Sequence, residues 1–239
     1  MSASLAAVIA AQLVVFAASS LRDAFEELGR RFEAARSGAK VVFNFAGSQE
    51  LRTQLEHGAA ADVIASADEP QLRVLVASGL AGEARIFARN EPVIVVPRGN
   101  PARIGSLRDL PRAERIVLGV PAVPIGAYAG RILESAARLY GAGFRRSVEA
   151  RVVSRELNVR QVLAKVRLGE ADAAIVYRTD VLAAGQSVAA ISIPQEVNVI
   201  AEYPIAVLRG SRDPGLAGAF VEFVVSPAGR AVLTRFGFL

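Results

Sequence analysis

The chain contains no cysteine and only one histidine, His57, among its 239 residues. The first absence excludes disulfides, thiolate metal sites and a cysteine nucleophile, and it fits any redox compartment. The second excludes a multi-histidine zinc site. A Ser-His-Asp triad would have to draw on His57, and no GxSxG elbow precedes it. His57 lies in LEHG, which reads as the end of a helix, where a surface cation is favourable. Aromatic residues make up only 6% of the chain, and the net charge of +5 comes mostly from scattered arginines (Arg22, Arg52, Arg89 and Arg146 among them). That is a solvated basic surface, without the stacking platform or basic stripe that nucleic acid requires. Its positive field would at most speed the capture of a small anion. Charge, Pro or Gly interrupts every apolar run, so no segment reads as transmembrane. There is no short-period repeat, no low-complexity tract and no helix-turn-helix segment.

With 52% hydrophobic and 21% charged residues, the chain can bury a sizeable core, and its length suits one or two α/β units. The opening MSASLAAVIAAQ is apolar, rich in Ala and too short to span a bilayer. It resembles the apolar region and small-residue end of a secretory signal without the charged beginning. Residues 1–12 are therefore read as a residual leader or an added start; the alternative is an ordinary first helical turn. From residue 13, short β-rich runs alternate with helical ones. LVVFA reads as a buried strand, and Leu21, Phe25, Leu28 and Phe32 recur at helical spacing after it. KVVFNFAG, DVIAS and EPVIVVP read as further strands, with SQELRTQLEHG and EPQLRVLVASG as helices between them. The Gly-, Pro- and Arg-rich stretch up to Pro111 reads as a connection between lobes. RIVLGV, ARVVS, AAIVY and VAAISI are the strands of the second half, the segment around EYPIAVL is extended, and two helices close the chain. Alternating βα units predict mostly parallel sheets flanked by helices, in two lobes with a cleft between them.

In such sheets, ligands bind at the carboxyl ends of strands, where helices begin. The corners concerned are AASSLRD, FAGSQEL, PAVPIGAY, RELNVRQ and YRTD. They are rich in Ser, Gly and small residues, and the first two hold no Asp, Glu, Lys or Arg ahead of the helix. Helix starts present unpaired N–H groups and a partial positive charge, so several aimed at one point hold an anion without a cationic side chain. Serine hydroxyls and the phenol of Tyr177 would add donors. Taken singly, each corner has a plainer explanation. Ser20 is an N-cap, Gly47 and Gly126 are turn glycines, and Tyr177 is a core-edge residue. Only the set of corners points to a bound anion.

These residues resemble the periplasmic molybdate-binding proteins of ABC transporters. The likeness runs from Leu13 to Phe238 and rests on VFAASSL, FAGSQELRTQLEHGAAADVIASAD, NVRQVLAKVRLGEADAAIVYRTDV, EYPIAVL and RFGF. It implies a type II periplasmic-binding fold, with residues 13–92 plus 199–239 in one lobe and 93–198 in the other, closing on a tetrahedral oxyanion. It also implies the contacts. Ser20 and Ser48 donate through hydroxyl and amide, Ile125 and Val159 through their amides, and Tyr177 through its phenol. The third corner, GVPAVPIG, departs from the pattern. It lacks an acidic residue after its first Gly, is one residue short, and places Ile125 where Ala is common. The resemblance further implies a periplasmic monomer that needs no cofactor, takes molybdate or tungstate as ligand, contacts no nucleic acid and serves a membrane permease.

Burying a dianion is costly unless it is fully hydrogen-bonded. Molybdate and tungstate share size and charge, sulfate is smaller, and phosphate carries a proton for which a pocket of donors has no acceptor. Discrimination by size and protonation is expected, with no Lys or Arg touching the anion. The competing readings are a sulfate-, phosphate- or organic-acid-binding protein on the same fold, a serine hydrolase using Ser20 or Ser48, and the ligand-sensing module of a transcription regulator. Asp62, Asp68, Asp172 and Asp180 read as structural caps, and Glu170 with Asp172 as a turn that could face a permease.

Overall fold

The computed structural model describes residues 11–239. Two five-stranded sheets, each flanked by helices, form two lobes. The first lobe opens with β1 (Ala11–Ala18), α1 (Arg22–Ala35), β2 (Ala39–Ala46), α2 (Ser48–Glu56), β3 (Val63–Ala65), α3 (Glu69–Ala77) and β4 (Arg85–Asn90). The chain then crosses to β5 (Pro92–Pro97), β6 (Ile116–Gly119), α4 (Pro124–Tyr140), α5 (Phe144–Glu149), β7 (Val152–Glu156), α6 (Val159–Arg167), β8 (Ala173–Tyr177), α7 (Arg178–Ala184) and β9 (Val188–Ser192). It returns to the first lobe for β10 (Ala201–Val207), α8 (Pro214–Val225) and α9 (Pro227–Arg235).

The sheets share one topology. The first is ordered β2-β1-β3-β10-β4 and the second β7-β6-β8-β5-β9. In each, the first three strands pair in parallel, while one strand lies antiparallel to both its neighbours: β10 in the first sheet and β5 in the second. Each reversed strand directly follows a crossing between lobes. The sheets are therefore mixed: four strands run one way and one is reversed, because a chain entering from the other lobe arrives at the opposite end of the sheet.

Burial explains the elements. Leu13, Val15 and Ala17 of β1 are fully buried, as expected for a strand covered on both faces. On α1, Phe25, Leu28 and Phe32 are buried, following Leu21 in the 3-10 turn Ser19–Leu21 that links β1 to the helix. Phe25 packs against Phe43, Phe87 and Phe220 with ring centres 5.6–6.3 Å apart, edge-on to Phe43 and Phe220. Edge-to-face packing of this kind adds about 0.5–1.5 kcal/mol per pair beyond area burial. Asp62 ties three chain segments together: its carboxylate accepts from the Val14 amide (2.7 Å), the Ser211 hydroxyl (2.7 Å) and the Arg212 amide (3.0 Å). Asp172 likewise accepts from the Glu114 and Arg115 amides and the Arg115 guanidinium, the structural role expected of it.

Four sequence expectations change. The Gly-, Pro- and Arg-rich stretch up to Pro111 joins β5 to β6 within one sheet, and Ile104, Leu107 and Leu110 in it are buried. Gly and Pro there mark turns, and the real crossings are the short segments after Asn90 and after β9. Strand β4 and helix α5 were not expected; both are short, and half of β4 is exposed. The helical spacing of AYAGRILESAARLYG predicts a helix from Ala127, yet α4 begins at Pro124, because Pro suits the first helical position. Of the segment 1–12 read as a leader, residues 1–10 lie outside the described residues, while Ala11 and Gln12 pair with Ala39 and Lys40 inside β1.

Candidate functional site

The carboxyl ends of the parallel strands of both lobes converge on one cavity. From the first lobe come Ala18, Ser19 and Ser20 after β1, Ala46, Gly47 and Ser48 after β2, and Ala67 after β3. From the second come Val123, Pro124 and Ile125 at the start of α4, Asn158 and Val159 at the start of α6, and Tyr177 at the end of β8. All five residues expected to bind, Ser20, Ser48, Ile125, Val159 and Tyr177, line it. No Lys, Arg, Asp or Glu does. The cavity is about 10 Å³, on a scale where one water needs roughly 10–15 Å³. Organic ligands occupy hundreds of Å³, so no organic ligand fits this space.

The hydroxyl-bearing residues Ser48, Ser20 and Tyr177 stand at the cavity. Ser48 is not a cap: its Oγ accepts from the Ala67 amide at 3.0 Å, and because that amide can only donate, the serine proton is left for the cavity. Ser20 is not a cap either, and its Oγ lies 3.0 Å from the hydroxyl of Tyr203. Tyr177 is fully buried, yet its hydroxyl has no partner among the described residues. Burial holds its phenol well above the ordinary tyrosine range, so it keeps its proton and can donate. Its ring is held edge-on by Tyr128 and Tyr203. The amides of Ser48, Ile125 and Val159 fall in the first turns of α2, α4 and α6, where a helix offers its own N–H groups no acceptor. The Asn158 side chain caps α6 by accepting from the Gln161 amide at 3.1 Å, which leaves the Val159 amide for the cavity.

Two glycines set the fit. A Cβ on Gly126 would collide with the carbonyl oxygens of Val120 and Gly119, so glycine lets the start of α4 approach its own strand. A Cβ on Gly47 would lie 2.5 Å from the carbonyl oxygen of Leu157 in the opposite lobe. Ile125 is 1% exposed and packed in the core, with its Cγ2 close to Gly119 of β6.

The lobes also touch beyond the cavity. Gln49 donates to the Leu157 carbonyl at 2.9 Å, and Gln71 to the Ala122 carbonyl at 3.2 Å. Arg160 on α6 pairs with Asp23 of the first lobe and with buried Asp180 of its own (Nε to Oδ1, 3.0 Å). Asp180 also accepts from the Tyr177 amide at 3.2 Å, which orients the strand end carrying the phenol. These links across the lobes are invisible in the sequence, since their partners are far apart along the chain.

Asp68, next to the cavity, caps α3 by accepting from the Gln71 amide at 3.2 Å. It is 4% exposed, and burial pushes its carboxyl up to about 6. The folded protein therefore holds this proton to higher pH than the unfolded chain, and stability falls as pH rises through roughly 4 to 6. Asn also caps well, so an Asp68→Asn protein should gain about 2 kcal/mol over wild type between about pH 4 and 7. Urea unfolding at several pH values reads this difference, and parallel slopes in the two proteins would refute it.

From residue 13 to 239 the chain matches the family of bacterial extracellular solute-binding proteins. It is 42% identical over 231 residues to the molybdate-binding protein ModA of Mycobacterium tuberculosis, covering 96% of this chain and 85% of that one. Among solved structures, the periplasmic molybdate-binding protein of Azotobacter vinelandii superposes with a TM-score of 0.80 at 20% identity, over 95% of this chain and 98% of that one. The sulfate-binding protein SubI of Mycobacterium tuberculosis gives 0.85 at 21% identity, over 95% and 86%. The last two show a shared two-lobed fold. With a family match over nearly its whole length and a relative this similar across it, the chain belongs to the bacterial extracellular solute-binding proteins.

Proposed function

We propose that the protein captures molybdate, and equally tungstate, outside the cytoplasmic membrane and delivers it to the permease of an ABC importer. The observation that carries this reading is the uncharged cavity: Ser19, Ser20, Ser48 and Tyr177 and helix-start residues from both lobes line one small space that no Lys, Arg, Asp or Glu enters. Ser20, Ser48, Ile125, Val159 and Tyr177 hold the anion, and the lobe of β1 to β4 with β10 closes against the lobe of β5 to β9 around it. The sequence similarity to ModA supports molybdate over other oxyanions. The protein acts as a monomer, in the periplasm or at the cell surface, and reaches that compartment through an N-terminal signal.

A dianion held by uncharged donors keeps its full charge only if every oxygen is served. A protonated oxyanion would meet donors where its own proton needs an acceptor, and a smaller one would leave bonds stretched. Isothermal titration of the ligand-stripped protein with molybdate, tungstate, sulfate and phosphate tests the reading. Tight one-to-one binding of the first two, with sulfate and phosphate weak, is expected. Sulfate binding as tightly as molybdate would make this a sulfate carrier, and silence with all four would remove the oxyanion reading.

A further inference from the structure

Ser20 carries out its task only if its hydroxyl proton points into the cavity, and what it bonds to decides that. Its Oγ lies 3.0 Å from the Tyr203 hydroxyl, and either oxygen could be the donor. The direction follows from the next residue along. Fully buried Asn90 ends β4, at the crossing between lobes. Its Oδ1 lies 3.0 Å from the Glu91 amide, which can only donate, so the side-chain amide is fixed with its nitrogen on the other side. That nitrogen donates to the Thr179 hydroxyl at 2.9 Å and to the Tyr203 hydroxyl at 3.3 Å.

Tyr203 Oη is thus an acceptor from Asn90, and its own proton must go elsewhere. The phenol is fully buried, and Ser20 is the remaining hydrogen-bond partner of its oxygen among the described residues. Were Ser20 the donor, the buried tyrosine proton would be left without an acceptor among the described residues, at the cost of an unmade buried hydrogen bond. We infer that Asn90 and Tyr203 form a relay that sets the polarity of Ser20: Asn90 donates to Tyr203, Tyr203 donates to Ser20, and Ser20 donates to the bound anion. Tyr203 is a positioning residue that never touches the ligand. It is absent from the cavity lining, and its ring is locked edge-on by Phe87, Tyr177 and Phe238. The relay also spans the crossing, since Asn90 and Tyr203 belong to the first lobe and Thr179 to the second.

This inference rests on the oxyanion reading above. Tyr203→Phe removes the hydroxyl and keeps the ring, so the variant retains its packing. Ser20 then loses its donor and is free to turn its proton away from the anion. Molybdate affinity should fall about five- to tenfold in the otherwise wild-type protein. In a Ser20→Ala background the same change should do nothing further, because the group it acts on is gone. In a Ser48→Ala background it should keep its full effect, since Ser48 is oriented by the Ala67 amide instead. General loosening of the lobe would add equally to both backgrounds, and that outcome overturns the relay, as does an unchanged affinity in the single variant. Wild-type protein that fails to bind molybdate at all would instead sink the oxyanion reading, and this inference with it.

Discussion

Gly47→Ala should bind molybdate at least about a hundredfold more weakly than wild type, while its ligand-free form melts at nearly the same temperature. The Cβ it adds would lie 2.5 Å from the Leu157 carbonyl oxygen, and ordinary contact begins near 3.4 Å. The other atoms it meets belong to the Gln49 side-chain amide, which can swing aside, but the Leu157 carbonyl is backbone. Relief requires the second lobe to retreat by about 1 Å, a distance over which a hydrogen bond is lost. Val159 is two residues beyond Leu157, and Ile125 and Tyr177 ride on the same lobe, so all three donors withdraw together. Each bond to a charged partner contributes about 1.5–3 kcal/mol, so losing one or two of them suffices for the predicted loss.

Stability should hold because Gly47 has φ −66° and ψ 142°, extended backbone that Ala adopts without strain. Ala even narrows the unfolded ensemble, worth about 0.4–1 kcal/mol in the folded state's favour. Titration and thermal melting of the same preparation separate the two quantities. Unchanged affinity would mean that the lobes do not reach this closed arrangement around the anion, and a parallel fall in stability would point to local damage instead.

Removing both serine hydroxyls, in Ser20→Ala/Ser48→Ala, should weaken molybdate and tungstate binding alike by about a hundredfold or more. Each serine loses a bond to a charged ligand worth about 1–3 kcal/mol, and the two stand on different strand ends with different supporting partners, so their effects should largely add. The deletions also strand their partners. The Ala67 amide loses its acceptor, and the Tyr203 hydroxyl has nothing to donate to. A fall in melting temperature of several degrees should accompany the binding loss, at about 2–4 °C per kcal/mol for a chain of this size. Equal loss for the two anions matters as much as its size, because one set of donors is proposed to serve both. Retained affinity would take both serines out of the site.

Much of this was legible in the sequence because it depends on local rules. Helical and alternating hydrophobic spacing marked β1 with α1 and most later pairs, and N-terminal helix chemistry singled out the corners holding Ser20, Ser48, Ile125, Val159 and Tyr177. The resemblance then gave those corners a ligand. What failed was also local in origin. Gly and Pro around residues 98–111 signal turns, and nothing in a single sequence says whether a turn joins two strands of one sheet or two lobes. β4 carries charge at Arg85 and Arg89 and, among the described strands, pairs with β10 alone, so it lacks the apolar run that betrays a buried strand.

The supporting residues show the division most clearly. EYPIAVL belongs to the quoted resemblance, yet no pattern in it says that the Tyr203 hydroxyl meets Ser20, 183 residues away. Asn90 and Arg160 drew no reading from the sequence, and Gly47 read as a turn glycine. By itself the sequence determined where strands give way to helices and which small residues stand at those junctions, because periodicity and capping act over a few residues. Only the tertiary structure decided that the junctions of two lobes face one cavity, what each hydroxyl meets and how closely the lobes approach, because those are set by contacts between separate elements, several of them more than a hundred positions apart.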